Sequence, residues 1–166
     1  MDGPLPGNTS GTARLLLGAP SYAVGWQERL LLPNPAAGQP LTYTVDGRFY
    51  ERLIAVTLTL TTSVVVANRF LQFYLQDNNG VTVTSAPGGG VVVASSTLNP
   101  FLTYDAPSYS NGASGGTFGK IPDVLAPPGW KWVAQVFNMD AADQISGAVL
   151  LVQRYPNDAV EIQANG

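Results

Sequence analysis

Asp140 and Asp143 lie three residues apart, and paired carboxylates can act as acid and base in the hydrolysis of a glycosidic bond. Both aspartates fall in a predicted connection between two strands, where this residue type is common because its side chain accepts hydrogen bonds from the local backbone. The neighbouring sequence offers no feature of the kind that tunes a catalytic carboxyl group. We therefore expect a turn here, and no catalytic residue.

Nucleophilic catalysis lacks its usual residues in this chain. Histidine and cysteine are both absent, so a serine nucleophile would have only Lys120 and Lys131 as bases. The same absence removes the commonest zinc ligands, the thiol nucleophile and every disulfide bond. The composition therefore predicts a protein that is not an enzyme and that carries no cofactor.

Two loop sequences resemble ligand-binding loops only superficially. The turn Asp77-Asn78-Asn79-Gly80 has oxygen ligands of the kind that calcium prefers, but the next glutamate is Glu161, far along the chain. The run Gly88-Gly89-Gly90 is followed neither by Lys-Ser/Thr nor by a helix, which a phosphate loop requires. We expect a hairpin turn and a plain loop, and no metal site.

Length and charge narrow the class of protein. The chain has 166 residues, 45% of them hydrophobic, which fits one globular domain. Only 11% are charged and the net charge is −3, so binding to nucleic acid is disfavoured. The longest uncharged apolar-rich run, residues 53–68, is interrupted by threonine and serine and does not predict a membrane span. The start, Met1-Asp2-Gly3-Pro4, lacks the basic and apolar pattern of an export signal, so we expect synthesis in the cytoplasm.

Alternation with a period of two predicts strands along most of the chain. From Phe49 onward, Ile54, Val56, Leu58 and Leu60 share one face, and threonines occupy the other. Further strands are predicted at 70–76, 81–84, 91–94, 101–104, 130–138, 145–155 and 160–163. No stretch has a helical period. The pattern predicts an all-β protein: an antiparallel β-sandwich, jelly-roll-like, over residues 49–166.

The segment 1–48 differs from this body. It holds six of the thirteen prolines, which favour extended backbone. We predict an extended arm with one or two short strands. Its apolar residues Leu15, Leu16, Leu17, Tyr22 and Trp26 are expected to bind this subunit or a neighbouring one.

Three further groups of residues have a structural and a functional interpretation. Trp130 and Trp132 share a strand face and are expected to fill the core rather than to form a platform for a sugar. The threonines 57, 59 and 61 are interpreted as the solvent face of a strand rather than an ice-binding array. The glycine-rich stretch 105–120 is predicted to be a loop. Tyr104, directly before the loop, and Tyr109, within it, are candidates for contact with a partner.

Arg69 and Asp143 each open a predicted strand next to an uncharged stretch. We therefore predict that they form a bracing ion pair at one end of the sheets.

Several motifs together resemble small virion structural proteins of tailed bacteriophages. They are LTLTTSVVVANR at 58–69, DNNG at 77–80, LAPPG at 125–129, DQIS at 143–146 and QRYP at 153–156. The resemblance covers residues 49–156 and leaves the first 48 residues unmatched. It implies a jelly-roll-like sandwich in the phage particle, without catalytic residues.

Two functions follow from this resemblance together with the low charge. The first is a capsid decoration or cement protein on the surface of the virion, which binds the major capsid protein and copies of itself as a trimer or dimer. The alternative is a module of the tail or a fibre, in which Tyr104 and Tyr109 bind a host receptor or glycan. Removal of residues 1–24 is expected to abolish particle binding in the first case and to spare host-cell binding in the second.

Overall fold

The computed structural model describes residues 25–87, 91–104, 109–111 and 116–157. For residues 87, 109–111 and 116–118 it describes the backbone path alone. Leu15, Leu16, Leu17 and Tyr22 therefore lie outside the described residues, as does the strand predicted at 160–163.

The described chain is built of β-strands, and no helix occurs in it. In chain order the strands are β1 (Trp26–Leu31), β2 (Leu41–Thr44), β3 (Phe49–Thr61), β4 (Phe70–Gln76), β5 (Thr82–Pro87), β6 (Thr97–Thr103), β7 (Tyr109–Asn111), β8 (Gly116–Lys120), β9 (Leu125–Ala126), β10 (Lys131–Phe137) and β11 (Gln144–Pro156). One sheet has the order β1-β11-β3-β6-β8-β7, with β9 paired to β3, and the other has the order β2-β10-β4-β5.

The strand order is that of a jelly roll. Four antiparallel pairs, β1 with β11, β2 with β10, β3 with β6 and β4 with β5, are nested inside one another along the chain. Successive pairs alternate between the two sheets, so one long folded ribbon wraps around the core. Strands β7, β8 and β9 are an insertion between β6 and β10. The predicted fold class is confirmed.

The core lies between the two sheets and is apolar. Leu71, Phe73 and Leu75 of β4 point inward, as their alternation predicts. Trp132 of β10 is 2% exposed and stacks on Phe73 with ring centroids 5.5 Å apart. Trp130 packs against the same core while half-buried. The tryptophans therefore contribute to the core, and Trp132 cannot form a platform for a sugar.

The predicted inward face of β3 is wrong at one position. The buried residues are Leu53, Val56, Leu58 and Leu60, while Ile54 is only half-buried. In the pairing with β11, Val152 lies opposite Leu53 and the next residue pair jumps to Ala55, so Ile54 is an extra residue on β3. Such a β-bulge resets the alternation, and the two halves of the strand therefore present their apolar residues in different phase.

Residues 26–44, predicted as part of an arm, contribute a strand to each sheet of their own chain. Strand β1 adds to the edge of β11, and β2 adds to the edge of β10. The stretch 105–120, predicted as a loop, also contains strands, since β8 runs parallel to β6 and β7 pairs with β8. Glycines at 112, 115, 116 and 119 hide the alternation there, because they have no side chain to mark a face.

The turn between β4 and β5 depends on Asp77. Its Oδ1 accepts hydrogen bonds from the backbone N–H groups of Asn79 and Val81, both at 2.8 Å, and Gly80 adopts a φ of 80°. Asp77→Ala is expected to lower the free energy of unfolding by about 1 kcal/mol, because two backbone donors lose their partner at an exposed site. Asp77→Asn, which keeps an acceptor, should lose less. Thermal unfolding measures both, and a wild-type melting temperature that rises with calcium would contradict the assignment as a plain turn.

Candidate functional site

Four connections meet at one end of the jelly roll: 32–40, 62–69, 138–143, and the part of the β5–β6 connection at 91–96. Backbone hydrogen bonds join them, from Ser95 N to Ser63 O at 2.8 Å and from Gly38 N to Asp143 O at 2.8 Å. We call this the valine end, because five exposed valines lie on it. They are Val64, Val65, Val66, Val91 and Val93, between 49% and 92% exposed.

Arg69 is fully buried beneath the valine end. Its Nε donates to Oδ2 of Asp143 at 2.5 Å, and both side chains are 0% exposed. Its Nη1 donates to the carbonyl oxygens of Val65 at 3.0 Å and Ala67 at 3.2 Å, and its Nη2 donates to Oγ of Ser63 at 3.0 Å. One guanidinium group therefore holds the whole β3–β4 connection in place.

Asp143 ties a second connection to the first. Its Oδ1 accepts from the backbone N–H of Ser63 at 2.7 Å, and its Oδ2 accepts from that of Asp140 at 2.8 Å. Burial opposes the charge on this carboxylate, but the hydrogen bonds from Arg69 and the two amides outweigh it and lower the pKa of Asp143. The structure thus brings the predicted pair together, and its contribution to stability remains a prediction. Because Asp143 is enclosed, it cannot flank a substrate bond with Asp140.

A second buried network lies toward the other end, where β1 begins. Arg154 of β11 donates from Nε to Oε1 of Glu51 at 2.8 Å, from Nη2 to Oη of Tyr43 at 3.0 Å, and from Nη1 to Oε2 of Glu28. Tyr43 donates to Oε1 of Glu51 at 2.8 Å. The guanidinium also lies 4.9 Å from the centroid of the Phe49 ring. Arg154 therefore connects β1, β2, β3 and β11.

Glu51 is the least satisfied member of this network. The residue is fully buried, and its Oε2 has no hydrogen-bond partner. Burial raises the pKa of Glu51, although hydrogen bonds from Tyr43 and Arg154 oppose the shift. Burial lowers the pKa of Arg154 on its own, but hydrogen bonds to Tyr43 and Glu51 reverse that effect and raise it. The ionised carboxylate therefore depends on Arg154.

Trp26 lies where the N-terminal segment enters the sandwich. Its ring meets Phe49 edge-on, with centroids 5.3 Å apart, while 45% of the residue remains exposed. Gly25 leaves no room for a side chain, since a Cβ there would lie 2.5 Å from the carbonyl oxygen of Arg154. We call Gly25, Trp26, Glu28, Phe49 and Arg154 the root of the N-terminal segment.

The other predicted contact residues are not brought together by the described structure. Tyr104 is half-buried at the end of β6, and its backbone N–H donates to Ile54 O at 3.2 Å. Tyr109 lies in β7, opposite Phe118 of β8, and only its backbone is described. Among the described residues, no group of three or more histidine, cysteine or acidic residues could hold a metal ion.

Sequence reasoning missed the network around Arg154. The available signal was Glu51, a carboxylate that falls in phase with Leu53 on the inward face of β3. Its partners Tyr43, Arg154 and Glu28 are scattered over the chain, so their spacing gives no sign of contact. Within the described residues, no helix is long and apolar enough to cross a membrane.

No protein-family model and no curated protein matches the chain. Among solved structures it resembles part of the T13 particle of infectious bursal disease virus, with 9% identity over 80% of this chain and 32% of that one, at a TM-score of 0.37. Structures of the Gt and Gx strains of that virus show 13% identity, cover 88% and 86% of this chain and 43% and 41% of theirs, and have TM-scores of 0.28. The chain thus spans less than half the length of each. At these TM-scores the overlaps do not define a shared fold, so the jelly-roll assignment rests on the strand order.

Proposed function

We propose that the chain is a structural protein of a tailed-phage particle: a decoration or cement protein that binds the head shell and stabilises it. Two features support the proposal. The motifs that resemble virion proteins span residues 49–156, and the strand order is that of the jelly roll, which occurs in viral capsid, lectin and cupin domains. Since a fold hosts many functions, the choice among them depends on the interior and on the surface.

The interior supports a structural role over the binding of a small ligand. The space between the sheets is filled by apolar side chains, among them Leu53, Leu60, Leu102, Ile121 and Trp132, each 2% exposed or less. The buried charged residues are Glu51, Arg69, Asp143 and Arg154, and they are engaged in ion pairs with one another or with Glu28. Within the described residues, the buried charges therefore serve the fold.

The observation that carries the proposal is the root of the N-terminal segment. Trp26 packs against Phe49 and Glu28 pairs with Arg154, so the start of β1 is fixed on the sandwich directly after the 24 residues that precede Gly25 in the sequence. Asp2 and Arg14 are the only charged side chains in that segment, which also carries Leu15, Leu16 and Leu17. Twenty-four residues, fully extended, would span about 80 Å. The segment is long enough to reach a neighbouring capsid subunit and apolar enough to bind it.

The mechanism is passive. A protein that binds the assembled shell but not the ruptured one stabilises the assembled state by mass action. An apolar segment laid into a groove, or added as a strand to a sheet edge, buries a large area with few residues. The shell then requires more free energy to rupture, although the bound chain performs no reaction.

The proposal is tested by quantitative co-sedimentation of the full-length protein with emptied phage heads and, separately, with tails, at low and at high salt. We expect saturable binding to heads, in a fixed ratio to the major capsid protein, that resists salt because the contacts are apolar. Replacing Leu15, Leu16 and Leu17 together by serine should weaken binding by roughly tenfold or more. The matched control is Leu125→Ser, since this leucine is 46% exposed on β9 and lies outside the segment.

Two results would contradict the proposal. Binding to tails alone would show that the protein belongs to the tail and not to the head shell. Binding to host cells and not to heads, abolished by Tyr104→Ala with Tyr109→Ala and retained by the leucine variant, would establish the alternative function in receptor or glycan recognition.

A further inference from the structure

Two carboxylates share one guanidinium group where β1 docks on β11. Arg154 donates from Nε to Oε1 of Glu51 at 2.8 Å, and from Nη1 to Oε2 of Glu28. The side chain of Glu51 is 0% exposed, whereas that of Glu28 is 40% exposed. With both carboxylates ionised, the three groups together carry one net negative charge. Water can solvate Glu28, but it does not reach the enclosed carboxylate of Glu51.

The other described groups around Glu51 do not supply the missing positive charge. Tyr43 of β2 donates to Oε1 at 2.8 Å but stays neutral, because burial and the neighbouring Glu51 raise its pKa. In the β2–β3 turn, Asp46 and Arg48 pair with each other at 2.7 Å. From β9, the buried Ala126 lies opposite Glu51. The charge of Glu51 thus depends on a cation that β1 also uses.

One oxygen of Glu51 has no partner to stabilise its charge. Oε1 accepts from both Arg154 and Tyr43, while the buried Oε2 accepts from no described residue. A proton on Oε2 removes the charge and leaves both hydrogen bonds to Oε1 in place. The resulting hydroxyl also lacks a partner, but a neutral group costs less to bury than a charge. Burial accordingly raises the pKa of Glu51, against the effects of Tyr43 and Arg154.

Strand β1 shields this site from water. Trp26 is in register with Arg154, and Glu28, two positions further on, lies on the same face. Trp26 meets the ring of Phe49 edge-on, and the guanidinium of Arg154 lies 4.9 Å from the centroid of that ring. Among the described strands, β1 pairs with β11 alone, at the edge of the sheet. Its detachment therefore uncovers Arg154, lets water approach Glu51 and returns the pKa of that carboxyl toward its ordinary value.

We propose that the docking of β1 on β11 is coupled to the protonation of Glu51, so that β1 is held firmly in mild acid and loosened at higher pH. With Glu51 protonated, Arg154 and Glu28 form a neutral pair that ties β1 to the sandwich. With Glu51 ionised, the two carboxylates compete for one guanidinium, and Glu28 is the one that water can accept.

The direction of the effect follows from linkage. Docking raises the pKa of Glu51, so the stabilisation linked to this group is fully present at a pH below the undocked-state pKa. It is lost as the pH rises through the docked-state pKa. The inference concerns strands within the body of the chain and does not depend on the proposed function.

Amide hydrogen exchange of the full-length protein, followed by mass spectrometry from mild acid to above neutrality, tests the coupling. Exchange rates are corrected for the intrinsic effect of pH, and β4, which lies between β10 and β5, serves as the internal reference. We expect the protection of β1 relative to β4 to fall severalfold as the pH rises. In Glu51→Gln, which keeps an oxygen acceptor and cannot ionise, the protection of β1 should be independent of pH. The matched control is Asp46→Asn, a partly exposed carboxylate beside the site, which should keep the wild-type pH dependence.

Glu28→Gln tests the competition at a side chain that is 40% exposed and whose replacement should not disturb folding. One carboxylate then remains for Arg154, so the pH dependence of β1 should be smaller than in the wild-type protein. A dependence that this variant leaves intact would show that the two carboxylates do not compete.

Three further results would overturn the proposal. Wild-type protection of β1 that follows β4 at every pH would show that no coupling exists. A pH dependence that persists in Glu51→Gln would assign the titration to another group. A dependence that Asp46→Asn removes would assign it to the β2–β3 turn.

Discussion

Arg69→Ala is expected to lower the free energy of unfolding by about 3–5 kcal/mol, and the melting temperature by roughly 10 °C. The change leaves the carboxylate of Asp143 fully buried without a cation. It also removes the donors for the carbonyl groups of Val65 and Ala67, so the β3–β4 connection loses its support. Breaking a buried pair costs far more than breaking a surface pair, because the remaining charge has neither water nor a partner.

Arg48→Ala is the matched control, since Arg48 pairs with Asp46 through a side chain that is 76% exposed. We expect its thermal transition to stay nearly unchanged. An equally unchanged transition for Arg69→Ala would show that the buried pair contributes nothing.

The dependence of the free energy of unfolding on acid pH should report on the same ion pair through Asp143. The folded state lowers the pKa of this carboxyl below its ordinary value of 3.8. The stability that results is present at a pH above the unfolded-state pKa of Asp143, and it is lost as the pH falls through the folded-state pKa. In Asp143→Asn this part of the acid dependence should be absent, and unfolding followed between neutral and strongly acidic pH tests it.

The second large effect is expected for Arg154→Met, which should destabilise the protein by about 3 kcal/mol at neutral pH. Glu51 then loses its only cation while it stays buried. Burial already raises the pKa of Glu51 above the ordinary value of 4.5, and without Arg154 the pKa rises further. When folding raises the pKa of a group, the stability linked to that group is fully present at a pH below its unfolded-state pKa. It is lost as the pH rises through the folded-state pKa. The variant should therefore differ least from wild type in mild acid and most above neutrality.

Adding Glu51→Gln to Arg154→Met is the control for this interpretation. The double variant should regain stability at neutral pH, because no carboxylate remains to be ionised in the interior. Urea unfolding at several pH values measures both variants. If the single variant were destabilised equally at all pH values, lost packing against Phe49 would be the cause, and the electrostatic explanation would be wrong.

Those parts of the fold that depend on regular alternation could be predicted from the sequence. Leu71, Phe73 and Leu75 alternate without interruption, and β4 is found where they indicate. The inward face of β3 could be predicted only in part. The β-bulge at Ile54 cannot be recognised from the sequence, because Ile54 is apolar like the residues that point inward. Strand β8 could not be predicted, because two of its five residues are glycines, which carry no information about which face is buried. Strand β7 has only three residues, too few to show an alternation.

The two buried networks differ in how visible they are in the sequence. Arg69 and Asp143 are rare charges beside uncharged stretches, and each opens a strand, so their contact could be predicted. Arg154 lies in a strand with ordinary alternation, and 103 residues separate it from Glu51. Nothing local indicates that contact, because it exists only once β3 and β11 are paired.

The nesting of the strand pairs also predicts an order of events during folding. The innermost pair, β4 with β5, is local in sequence, whereas β1 and β11 come from opposite parts of the chain and must close the longest loop. In the sheet, β11 lies between β1 and β3, so β1 has no partner until β11 is in place. On the ribosome, β1 emerges early and waits unpaired until residues 144–156 have been synthesised. We therefore expect the anchoring of the N-terminal segment to be a late step of folding, since β1 needs β11 as its partner.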